Sequence, residues 1–115
     1  MTAPPPRREL AREAVSAAHV DEWAELFGAL ADPNRLRILL AVHRAPGINV
    51  TDLAAATGMT DNATSHALNA LRLRGLVVVR RDGRERLWSL RSAEVHELLH
   101  RVGAMHSPLH PEHEQ

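Results

Sequence analysis

The chain contains no cysteine, which removes any disulfide framework and any thiolate metal site and agrees with a cytoplasmic protein. It contains no lysine either: all fourteen basic residues are arginine, a codon bias rather than a chemical signal. No apolar run approaches the ~18 residues of a membrane span. The opening MTAPPPRREL lacks the apolar core of a signal peptide. There is no nucleophile-elbow or phosphate-loop motif, and no grouped carboxylates stand beside a histidine, so nothing here carries an enzyme's chemistry. An excess of one charge is missing as well, since 14 basic and 14 acidic residues cancel.

What remains is 115 residues, 44% hydrophobic and 24% charged. That is one globular domain, at a size where a helical chain often completes its core by pairing with a copy of itself.

The informative stretch runs from Val50 to Arg86. A short helix is predicted over VTDLAAAT, stopped by Gly58, and a second from about Asp61 to Arg74, stopped by Gly75. A Val-rich strand, LVVVRR, then turns at Asp82-Gly83 into a second strand, RERLWSL. Each boundary has a local cause. Thr60 suits a helix N-cap, both glycines suit the left-handed conformation past a helix end, and Asp-Gly suits a two-residue hairpin turn. Helix, tight turn, helix and hairpin in that order make a winged helix-turn-helix, which puts one helix in the DNA major groove and a basic hairpin beside it.

Around this module the expected fold is mostly α with one small β-hairpin, in the order α-α-α-α-α-β-β-α, and dimeric. Residues 1–8 read as a polar, Pro-rich disordered arm. The domain covers 9–103, with the helix-turn-helix at about 50–74 and the wing at 76–90. Residues 104–115 form a His-rich flexible tail. A first helix is expected from about Glu9 to His19. Asp21 to Ala31 follows, with Trp23, Leu26, Phe27 and Leu30 in one apolar stripe. Asp32-Pro33 reads as N-cap and first-turn proline of a third helix, with Leu36, Leu39 and Leu40 inward and Ala45-Pro46-Gly47 as its end. A last helix runs from a Ser92 cap to about Val102, with Gly103 as its stop. Leu10, Val15, Val95, Leu98, Leu99 and Val102 on the terminal helices are the expected homodimer contacts, because these stripes exceed what a small monomer core can bury.

In the second helix of the motif, Thr64, Leu68 and Leu71 recur at core spacing. Asn62, Ser65, His66, Asn69 and Arg72 recur on another side. Amides and arginine read base edges, while serine and histidine reach phosphates or bases. With Thr60 at the helix start, this polar stripe is the candidate surface for a double-stranded DNA operator. In the hairpin, Arg80, Arg81, Arg84 and Arg86 crowd seven residues around the tip, where phosphate contact adds a salt-dependent term to affinity.

The segment ALADPNRLRILL, the Ser65-His66 pair followed by Leu68 and Leu71, and the hairpin GLVVVRRDGRERLWSL together resemble the ArsR/SmtB family of bacterial metal-sensing repressors. The resemblance covers about Leu26 to Leu99. It implies a homodimer joined by its first and last helices that binds inverted-repeat operators and releases them on binding a metal ion or another effector. It also favours Ser65 and His66 among the DNA contacts. Ala67 stands where members often have Gln, which implies a different operator sequence.

Histidine is abundant: eight residues, five of them His96, His100, His106, His110 and His113. His96 and His100 lie one helical turn apart, a spacing that lets two imidazoles share one ion. They are expected with Glu97 and Arg101 on the polar side of the last helix. With nitrogen and carboxylate donors and no sulfur, the metals that fit are Ni(II), then Co(II) or Zn(II), rather than Cu(I), Cd, Pb or arsenite. No organic cofactor is implied. Against the resemblance, the usual D-x-H start of the last helix is replaced by Ser92-Ala93-Glu94, leaving Glu94 as the one matching donor. The later ligand positions fall on Met105 and Pro108, and INVTDL lacks the thiol of the alternative site. His19 is a further candidate across a dimer, and His43 suits a helix C-terminus through the dipole. Two readings stay open. One is a metal-responsive repressor; the other is the same DNA-binding dimer without its own metal site, answering another effector or a partner co-regulator protein.

Overall fold

The computed structural model describes residues 3–104 and 107–109, and the elements follow the expected order. They are α1 (Arg7–Ala17), α2 (Val20–Ala31), α3 (Pro33–Arg44), α4 (Val50–Thr57), α5 (Asp61–Leu73), β1 (Val77–Asp82), β2 (Glu85–Leu90) and α6 (Ala93–Arg101). No helix among the described residues is long and apolar enough to cross a membrane.

Short-range chemistry sets most boundaries. Asp32 Oδ1 accepts from the backbone N–H groups of Asn34 at 2.9 Å and Arg35 at 3.3 Å, with Pro33 in the first turn of α3. Thr60 Oγ1 accepts from Ala63 N at 3.0 Å, and Ser92 Oγ from Val95 N at 3.2 Å. Each of these bonds satisfies a donor that a helix start leaves open. Asn49 does the same for α4, accepting from Asp52 N at 2.8 Å, a cap the sequence reading did not single out. At the end of α5, Gly75 takes φ 73°, Gly75 N donates to Arg72 O at 2.9 Å and Leu76 N to Leu71 O at 3.0 Å. That pair of bonds ends a helix and turns the chain toward the wing.

Three boundaries differ from expectation. The first helix starts at Arg7, inside the expected arm, because Pro6 O accepts from Glu9 N and Leu10 N at 3.0 and 3.1 Å. The same helix ends at Ala17, and His19 becomes the N-cap position of α2. The hairpin turns one residue later than expected: Asp82 pairs with Glu85, so Gly83 and Arg84 are the turn. Gly83 has φ 62° and no non-glycine residue among those described has positive φ. Positive φ at the first central position alone matches a type II′ turn, which asks for glycine there.

The core gathers Ile38, Leu39 and Val42 of α3, Leu53 of α4, Leu68 and Leu71 of α5, Val77 and Trp88 of the hairpin, and Val95 and Leu99 of α6. Thr64 is buried too, and its hydroxyl donates to Thr60 O at 2.8 Å, so burial leaves no orphaned group. Leu40 is 39% exposed rather than inward, since Ile38, Leu39 and Val42 fill the buried stripe and Leu40 falls beyond its edge. Trp23 and Phe27 are also about half exposed, while Leu26 and Leu30 on the same helix pack against the core. The apolar stripe of α2 is wider than this chain's own core can cover.

Val95 and Leu99 correct the interface expectation. At 0% and 3% exposure they belong to the chain's own core, where a partner subunit does not reach them. Leu10, Val15 and Val102 are exposed and Leu98 is half-buried. No residue of α1 is buried at all. The radius of gyration, 18.1 Å, exceeds the roughly 13 Å of a compact chain of this length.

Candidate nucleic-acid interface

Helix α5 has two faces of opposite character. Thr64, Leu68 and Leu71 are fully buried, and their spacing anchors the helix to α3. Asn62, His66, Asn69 and Arg72 are exposed, and Ser65 is half-buried beside them. Residues three and four apart share one side of a helix, so these five side chains form a continuous strip of amide, hydroxyl, imidazole and guanidinium. Thr60 is exposed at the head of the helix, but its hydroxyl oxygen is already engaged by Ala63 N.

The hairpin is fastened to the rest of the module through its second strand. Gly47 N donates to Trp88 O at 2.8 Å and, in a second bond, to Ser89 Oγ at 3.0 Å. Trp88 N donates to Ile48 O at 2.8 Å, so the loop before α4 is tied to β2 by a single antiparallel bridge. Near the tip, Asn49 Nδ2 donates to Glu85 Oε1 at 3.2 Å. The tip arginines extend beyond these anchors. Arg80, Arg81, Arg84 and Arg86 are all exposed, and Arg81 lies directly opposite Arg86 across the ladder. Like charges in that position repel one another, and an anion between them relieves the repulsion. The ten residues expected to meet DNA thus divide between the exposed side of α5 and the wing, and none is buried.

The donors expected to hold a metal divide differently. His96 was expected on the polar, solvent-facing side of α6. It is half-buried instead, and its ring centre lies 5.0 Å from that of His43, with the planes tilted by 54°. His43 is itself only 5% exposed, so its role is not confined to compensating the end of α3. Burial placed it there, through a helix packing that no local pattern encodes. Glu94 and His100 are exposed on α6. Glu94 Oε2 accepts from the Ser92 hydroxyl at 3.0 Å, which supports the start of the helix. Among the described residues no three histidine, aspartate or glutamate side chains come close enough to hold an ion. His106, His110 and His113 lie outside the described residues. The donor chemistry therefore fits a metal only when α6 is joined by further ligands from the tail or a second subunit.

Comparison with known proteins agrees with this architecture. A family model described as the MarR family matches residues 32–86, which span α3 to the start of β2 and leave out the terminal helices. A "Transcriptional repressor SmtB homolog" from Synechocystis is 41% identical over 95 residues, covering 83% of this chain and 71% of that protein. The crystal structure of the "AntR antimony-specific transcriptional repressor" superposes with a TM-score of 0.72 at 32% identity, covering 88% of this chain and 91% of that one. A homodimeric winged helix-turn-helix DNA-binding domain from Mycobacterium bovis, described as a possible ArsR-family regulator, superposes with a TM-score of 0.65 at 31% identity, covering 88% and 86%. These relatives are transcriptional regulators, not enzymes. With the shared winged module and the SmtB-like sequence, this chain belongs to the ArsR/SmtB family of DNA-binding transcriptional regulators.

Proposed function

We propose that the protein is a homodimeric repressor that binds an inverted-repeat operator in double-stranded DNA through α5 and the wing. It answers a divalent metal bound by imidazoles of α6 and the C-terminal tail, Ni(II) first, then Co(II) or Zn(II). The observation that carries the DNA reading is the division of α5 into a buried Thr64-Leu68-Leu71 side and an exposed polar strip. Asn62, Ser65, His66, Asn69 and Arg72 read the major groove, while Arg80, Arg81, Arg84 and Arg86 bind phosphates along the flanking backbone. Two-fold symmetry of the protein is what a palindromic site mirrors.

A dimer is supported by surface the single chain leaves uncovered. Leu10 and Val15 of α1 are 46% and 67% exposed, and Trp23 and Phe27 of α2, 52% and 53% exposed, line an apolar groove between α2 and α6 together with Leu98. The Mycobacterium bovis relative is homodimeric. Metal sensing is supported by the wealth of imidazole and by the antimony-specific relative. The chain has no thiol, so its own ligands, His96, His100, His106, His110 and His113 with Glu94, suit borderline ions and not thiophilic ones.

The scarcity of clustered donors among the described residues favours one alternative: the same DNA-binding dimer, with no metal site of its own, regulated by another effector or a co-regulator protein. Selection from random duplex DNA, followed by gel shifts with and without Ni(II), tests both parts. An inverted repeat should be recovered and bound far better than its scrambled version, and Ni(II) should weaken that complex. Equal binding of scrambled DNA overturns the operator reading. Recovery of the repeat with no response to Ni(II), Co(II) or Zn(II) leaves the alternative.

A further inference from the structure

We infer that Asn49 is a positioning residue for operator binding, its side-chain amide fixing the wing against the helix-turn-helix. This rests on the DNA-binding reading above and names a residue outside both the α5 strip and the tip arginines. The two halves of the amide hold two different elements. Oδ1 accepts from Asp52 N at 2.8 Å and caps α4. Nδ2 donates at 3.2 Å to Oε1 of Glu85, 36 positions away at the start of β2. A backbone N–H needs an acceptor and a carboxylate needs a donor, so one orientation of the amide serves both. Asp32, Thr60 and Ser92 cap other helices of this chain. An aspartate would cap α4 as well as asparagine does, but it cannot donate and would face Glu85 with like charge. A serine would cap it too, but its side chain ends one bond short of Nδ2. The amide is therefore a requirement of the wing and not of the helix.

The place of this bond along the wing makes it effective. The backbone anchors of the wing join Gly47 and Ile48 to Trp88. Glu85 lies three residues nearer the tip, about 10 Å further out at ~3.3 Å per residue. It adjoins Arg84 in the turn and Arg86 on the strand. Beyond Trp88 the tip is carried by a two-stranded ribbon, and such a hairpin holds its shape poorly by itself in water. Asn49 gives this outer part a second attachment, at the head of α4, and α4 packs against α5. The α5 strip and the tip arginines thereby keep one spacing before DNA arrives, so less freedom is lost on binding. Released from Asn49, the Glu85 carboxylate would stand free between Arg84 and Arg86, where it repels phosphates.

Asn49→Ser, Asn49→Asp, Glu85→Gln and the double change Asn49→Asp/Glu85→Gln test this role in the full-length protein. Gel shifts on the selected operator and on its scrambled version give affinities, and urea denaturation checks folding. Both Asn49 variants keep a capping oxygen, so their stability should stay close to wild type. Asn49→Ser should bind the operator roughly threefold to tenfold more weakly. Its affinity for scrambled DNA, which needs no fixed spacing, should stay near wild type. Asn49→Asp alone should lose at least as much. Added to Glu85→Gln it should cost less than about twofold, because the glutamine amide then donates to the aspartate and restores the bond with its polarity reversed. A folded Asn49→Ser protein with the wild-type ratio of operator to scrambled binding overturns the role. So does an Asn49→Asp loss of the same size with and without Glu85→Gln. An equal loss on both DNAs together with lost stability overturns it as well, since a damaged cap explains both. A wild-type chain that binds operator and scrambled DNA alike sinks the DNA reading itself, and this role with it.

Discussion

Ile48 and Trp88 pair as a short β-bridge, Trp88 N donating to Ile48 O at 2.8 Å, and this pair fastens the wing to the loop that opens the helix-turn-helix. Trp88 is 3% exposed, so its indole also fills the core beneath the hairpin. Trp88→Ala should therefore cost about 3–5 kcal/mol of stability by opening a cavity. Urea denaturation monitored by circular dichroism measures it; a loss below 1 kcal/mol would mean that the wing is held by other contacts.

Operator affinity should divide between two kinds of contact. Arg72→Ala, and the double change Ser65→Ala with His66→Ala, should lose roughly 1–3 kcal/mol per specific contact in gel shifts at fixed salt. Arg80→Ala or Arg84→Ala should weaken all DNA sequences alike and reduce the salt slope by about one. Folded α5 variants with wild-type affinity would mean that this helix does not read the operator.

Gly75 sits at φ 73°, and a Cβ added there meets no atom within 4 Å. The cost of Gly75→Ala is then purely conformational, roughly 1–2 kcal/mol. Thermal melts should show this loss; a neutral change would mean that the junction between α5 and the wing relaxes at no expense.

Light scattering at micromolar concentration should return about twice the 12.7 kDa of one chain. Trp23→Glu with Phe27→Glu should shift the protein toward monomer, because charge then replaces exposed apolar surface of α2. A wild-type mass of one chain refutes the dimer, and a variant that stays dimeric moves the interface away from α2.

Ni(II) uptake should depend on the tail, because metal binding by imidazole needs several such donors together. Calorimetry on a chain ending at Met105 and on His96→Ala/His100→Ala should show weaker binding in each case. Undiminished uptake in both would place the ligands elsewhere.

Local chemistry was enough to specify the winged module. Asp32-Pro33, Thr60 and Ser92 each cap a helix through atoms within three residues, and Gly58 and Gly75 supply the backbone angles that end α4 and α5. The two sides of α5 follow from the helical period alone, because Thr64, Leu68 and Leu71 repeat at core spacing. Such signals act over one or two turns, which is why they can be read from the sequence. Which side of a helix is used up by the chain's own core cannot be read that way. Val95 and Leu99 carry the same apolar pattern whether they meet α3 and the hairpin or a second subunit, and packing alone assigned them to the core and left Trp23 and Phe27 uncovered. The meeting of His43 with His96 was invisible for the same reason. Helical period placed His96 on the polar side of an amphipathic α6 considered by itself, but the docking of α6 onto α3 decides which side meets protein. Capping and periodicity belong to a single element, whereas contacts between elements depend on how all of them divide the buried surface, and that division exists only in the folded chain.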